Sequence, residues 1–283
     1  MGACLSRQEE FNAQVGQFEK SLPFSKISIQ DYQERVKRLV FEGDQDQITL
    51  RQLIESFKDN NSFHTELSTE GSELRSIFLS KYLKKPQMKS LLGLDGKNQA
   101  PQKISEQSLA DQNDLKIWVT GLLMLGILYC QGSARVKANV FFEILQKELN
   151  SDITHQDQEF ITFYPIYLQY ATSLPYHFTA IRLGKELDED KEKDEEEELE
   201  TIYDSIKEEL IDLIYGTYNN KVSRSEFIDK LSGSLWRYLD ANELRKILDK
   251  KLKENSINSY LKSQLDELGG IRVNGNGPAQ TQA

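Results

Sequence analysis

The residues best placed to carry chemistry are the first six, MGACLS. They fit M-G-x-x-x-[ST], the acceptor pattern for N-myristoylation of Gly2 once Met1 is removed, and Cys4 lies close enough to the same membrane to accept a palmitoyl chain. The two modifications support each other physically. One myristoyl chain gives only marginal binding, on the order of 10⁴ M⁻¹, so firm anchoring needs a second contribution. The polybasic alternative is missing, because Arg7 is followed by Gln8, Glu9 and Glu10. The expected address is the cytoplasmic face of a membrane, held peripherally by lipid.

Catalytic patterns are absent from the sequence. Nothing matches the phosphate-binding G-x-x-x-x-G-K-[ST], the zinc-binding H-E-x-x-H, the nucleophile turn G-x-S-x-G or the dinucleotide loop G-x-G-x-x-G. His64, His155 and His177 stand apart from one another, and Cys130 closes an apolar run, which suits an inert buried thiol rather than a nucleophile. The chain is therefore expected not to be an enzyme; an active site assembled from scattered residues is the rival reading. A formal charge of −10 repels phosphate backbones and argues against nucleic acid as a partner. The two cysteines offer no disulfide framework. The longest apolar run, IWVTGLLMLGILYC over Ile117–Cys130, is too short for a hydrocarbon core of about 30 Å and reads as a buried helix.

These residues need elements to position them, and the hydrophobic spacing predicts helices almost throughout. Ile29, Tyr32, Val36, Leu39 and Val40 recur at three and four, with Ser28 as N-cap. Leu50, Leu53, Ile54 and Phe57 do the same after the polar break EGDQDQ. Further helical stretches run through SELRSIFLSKYLKK, from Ser108 to Leu149 with one break at CQGSARVKA, and through EFITFYPIYLQYATSLPY, where Pro165 should kink or shift the start. Lys81, Lys84, Lys85 and Lys89 read as a solvated face, with anionic lipid as the sharper alternative. The acidic run Glu186–Glu200 reads as a solvated insertion or the frayed start of a helix. The expected division is an acylated segment over 1–27, a helical lobe over 28–100, a connector helix and central unit over 101–185, the acidic insertion over 186–200, a C-terminal unit with terminal helix over 201–268, and a disordered tail over 269–283.

Three stretches share one layout of helix, polar loop with a β-branched residue near its end, and second helix: FEGDQDQITLRQLIESF, QKELNSDITHQDQEFITF and YGTYNNKVSRSEFIDKL. This layout resembles the EF-hand, whose twelve-residue loop pairs with a neighbour through a hydrophobic residue at the eighth place. Ile48, Ile153 and Val222 would hold that place. With the N-terminal acylation motif and the connector LLMLGILYCQGSARVKANVFFEIL, the whole is similar to the neuronal calcium sensor and calcineurin B-like group. The resemblance implies an all-α fold of paired helix-loop-helix units in two lobes, with at most short loop-loop pairing. It also implies weak metal ligands at Glu148, Asn150, Thr154 and Asp157 in the loop 146–157, and at Asn219 and Glu226 in the loop 215–226. The leading aspartates and the sixth-place glycine of that family are missing, so little or no calcium binding is expected. The resemblance then implies a membrane-anchored adaptor whose apolar groove takes a helix of a partner protein; a weak calcium sensor working through loop 146–157 is the alternative.

Overall fold

The computed structural model describes residues 2–41, 46–86, 112–146, 152–154, 158–184, 189–216 and 221–269. The chain opens with α1 (Gly2–Ser21) and a helical turn at Pro23–Lys26, followed by α2 (Ile29–Phe41), β1 (Gln47–Thr49), α3 (Leu50–Ser56), α4 (Asn61–Ser68) and α5 (Glu73–Leu79). A helical turn at Lys81–Leu83 follows. Next come β2 (Lys116–Trp118), α6 (Val119–Tyr129), α7 (Ala134–Leu145), β3 (Ile153–Thr154), α8 (Gln158–Ala171) and α9 (Ser173–Arg182). The long α10 (Glu189–Tyr215), β4 (Lys221–Val222), α11 (Arg224–Ser232), a turn at Trp236–Leu239 and α12 (Ala241–Gly269) complete it. The described chain is mostly helical, as the spacing predicts.

Local sequence fixes many of the helix starts. Ser28 Oγ accepts the Asp31 amide at 3.1 Å, and Thr49 and Gln52 close a reciprocal capping box on α3. Asn60, Ser72, Ser133 and Ser223 cap α4, α5, α7 and α11 in the same manner. Each such cap contributes about 1 kcal/mol by satisfying an amide the helix leaves open.

Two expectations need correction. The apolar run is not one helix from Ile117: Lys116–Trp118 is extended and the helix begins at Val119. Pro165 does not shift the start of its helix, since α8 runs continuously from Gln158 to Ala171, and the break comes at Thr172 instead. The first segment is helical from Gly2, and its Val15, Phe18 and Leu22 recur at three and four and are buried. The acidic run is helical from Glu189 onward, and the tail beyond Gly269 lies outside the described residues.

The buried side chains form one continuous cluster. Toward the N-terminal side, Phe24 and Tyr32 meet Phe63, and Phe57 stacks on Phe63 with ring centroids 4.5 Å apart. Toward the other side, Phe141 meets Tyr164, Tyr167 and Phe227. Between them Tyr129 donates to the Tyr170 carbonyl, and Tyr170 in turn donates to the Tyr82 carbonyl, both at 2.6 Å. The aromatic stripe of α8 thus packs as core, with Phe160, Tyr164, Tyr167 and Tyr170 fully buried.

Candidate functional site

Two short antiparallel strand pairs stand at the ends of the helices. Ile48 faces Ile117 in the β1–β2 pair, and Ile153 faces Val222 in the β3–β4 pair. All four side chains are buried. The first pair is lengthened by Leu50 N–H donating to Leu115 O at 3.3 Å and Val119 N–H donating to Asp46 O at 3.0 Å. α3 and α6 follow β1 and β2 directly and α11 follows β4 after Ser223, and each of the four aliphatic side chains is buried while the backbone ties its strand to the opposite one. Ile117 was missed by reading for helical period alone. Its signal is the alternation Leu115, Lys116, Ile117 behind the polar residues Asn113 and Asp114, which is a strand's period of two.

The carboxylates that precede these strands are met by the chain's own cations. Asp46, just before β1, pairs with Lys85; Asp114, before β2, lies 3.2 Å from Arg51; Asp152, before β3, lies 3.5 Å from Lys221. These pairs are solvated, so each contributes at most about 1 kcal/mol. Their consequence is local: each of these three carboxylates faces a cation of the same chain.

Of the six residues named as weak metal ligands, Glu148, Asn150, Asp157 and Asn219 lie outside the described residues. Thr154 is in β3, opposite Lys221. Glu226 sits in the first turn of α11, where its amide donates to Ser223 Oγ and its carboxylate lies 3.7 Å from Lys230 one turn on. Among the described residues no three His, Cys, Asp or Glu side chains gather as a metal ion requires. Gly2 and Cys4 fall in the first turn of α1, with side chains outside the described set.

From Asn12 on, α1 packs against α9 and α12. Phe18 stacks on Phe178 at 6.5 Å, and Tyr176 donates to Asn12 Oδ1 at 2.7 Å. Arg245 of α12 grips both Glu19 oxygens at 2.6 and 2.7 Å and also donates to the Ala171 carbonyl at 2.8 Å. Burial alone would lower the Arg245 pKa, but the charge and hydrogen bonds of Glu19 outweigh it and hold the guanidinium charged. The N-terminal helix is thereby latched to the last one.

A second polar hub joins α2, α7 and α11. Glu143 accepts from Gln33 at 2.7 Å, from Lys37, from Asn139 at 2.9 Å and from Arg224 at 3.0 Å. Burial would raise the Glu143 carboxyl, yet the bonds from Lys37, Gln33 and Asn139 hold it below the usual carboxylate range. Cys130 is buried, and that burial pushes its thiol pKa up despite the nearby Lys137. His177 packs edge-on against Tyr82 at 5.8 Å.

No protein-family model matches the chain, and neither the curated proteins nor the solved structures contain a match.

Proposed function

We propose that this chain is an EF-hand-like adaptor, tethered to the cytoplasmic face of a membrane by acyl groups on Gly2 and Cys4, that binds an amphipathic helix of a protein partner with little or no calcium. The observation that carries the reading is the pairing of Ile48 with Ile117 and of Ile153 with Val222. Two-stranded ladders of two or three residues have no stability of their own, so these pairs serve to fix helices relative to one another. The internal cations at Asp46, Asp114 and Asp152 support independence from added metal. Exposed apolar side chains on the second half, Leu213 of α10 and Trp236 after α11, are 46% and 45% exposed and support a helix-binding role.

Tryptophan fluorescence tests this reading. Trp118 is buried and Trp236 is exposed, so the Trp118→Phe variant reports on Trp236 alone. An amphipathic helical peptide should shift that emission to the blue equally in calcium and in chelator. A shift that appears only with calcium would favour the sensor alternative, and no shift with any such peptide would refute helix binding. Intact mass from native cells checks the anchor: addition of myristate after loss of Met1, with a thioester-labile group on Cys4, is the expected result.

A further inference from the structure

Arg75, in α5, is 2% exposed and carries a charge with no carboxylate bonded to it among the described residues. Its Nη1 donates to the Leu67 carbonyl at 2.9 Å, in the last turn of α4. Its Nη2 donates to Asn113 Oδ1 at 3.1 Å and reaches Gln112 Oε1 at 3.5 Å, while Nε has no partner among the described residues. Burial lowers its pKa, with the Glu70 charge opposing. A buried guanidinium whose acceptors among the described residues are all neutral calls for a specific reason.

The acceptors supply that reason. Gln112 and Asn113 open the turn that leads into β2, a turn closed by Leu115 N–H donating to Gln112 O at 3.2 Å. Leu115 then accepts from Leu50, at the first step of the β1–β2 ladder. The next side chain, Asp114, faces Arg51. Three consecutive side-chain oxygens are therefore turned toward guanidinium groups of the same chain. The C-terminal end of α4 adds partial negative charge through the Leu67 carbonyl.

We propose that Arg75 is the fixed cation that ties the turn Gln112–Leu115 to the end of α4 and so seats β2 against β1. The inference deepens the adaptor reading and rests on it for what the first strand pair does.

A double-mutant cycle between Arg75→Met and Asn113→Asp tests it, with thermal unfolding followed through the near-ultraviolet signal of Trp118 in β2. Asn113→Asp places a carboxylate beside the guanidinium and should raise the Tm by several degrees in an otherwise unaltered chain. Arg75→Met leaves the Leu67 carbonyl and the Asn113 side chain without their donor and should lower the Tm by several degrees, and in its background Asn113→Asp should lose its benefit. An unchanged or higher Tm for Arg75→Met, or equal effects of Asn113→Asp with and without Arg75, would overturn the proposal. Should Arg75→Met fail to fold, Asn113→Asp decides alone: a lower Tm contradicts the proposal. The response of the unaltered chain to calcium reads the adaptor hypothesis separately, because the cycle is run in chelator throughout.

Discussion

At the scale of single residues, the two polar hubs make opposite demands on pH. Glu19 is buried against Arg245, and burial leaves its carboxyl above the usual range even with the Arg245 charge pulling it down. Breaking the pair from one side strands the other charge, so Arg245→Met should cost about 3–5 kcal/mol in denaturant unfolding, and a second change, Glu19→Leu, should recover much of the loss. Glu143 is the reverse case, with its folded pKa lowered. The stability it contributes is present above the ordinary carboxylate pKa of about 4.3 and fades as pH falls through the lower folded value. Glu143→Gln should therefore destabilise by about 1–3 kcal/mol near neutrality, with the gap to the unaltered chain closing in acid. A gap that stays constant from neutral to acid pH would deny the carboxylate that role.

At the scale of elements, α6 is packed too closely to tolerate even a methyl group. A Cβ on Gly126 would come within 2.7 Å of Tyr32 Cδ1 and 2.8 Å of Cε1, and that ring is itself enclosed by Phe24, Phe57 and Phe63. Gly126→Ala should lose about 1–3 kcal/mol by overpacking, more than the gain of about 1 kcal/mol from helix propensity. The Tyr32 hydroxyl is buried with no partner among the described residues, so Tyr32→Phe should raise stability by about 1 kcal/mol in the same unfolding assay. Helices with strong apolar spacing and side-chain caps, such as α2 and α3, were legible in the sequence because both signals are local. Ile48, Ile153 and Val222 were legible as loop residues turned inward. Ile117 and Arg75 were not: the strand is three residues long and runs into an apolar helix, and the partners of Arg75 lie 8 and 38 residues away along the chain. Long-range polar contacts of this kind leave no periodic trace.

At the scale of the whole molecule, the β1–β2 and β3–β4 ladders join segments distant in sequence, and Asp46, Asp114 and Asp152 beside them meet cations of the same chain. The latch between Glu19 and Arg245 holds the C-terminal end of α1, and at 1.5 Å per residue Gly2 stands about 28 Å along the helix from Ser21. Nuclear Overhauser contacts across the two ladders, recorded in chelator and again with calcium, test the central claim most directly. Cross-strand contacts between Ile48 and Ile117 and between Ile153 and Val222 are expected in chelator, unchanged when calcium is added. Contacts missing from the metal-free protein, or arising only with calcium, would contradict it.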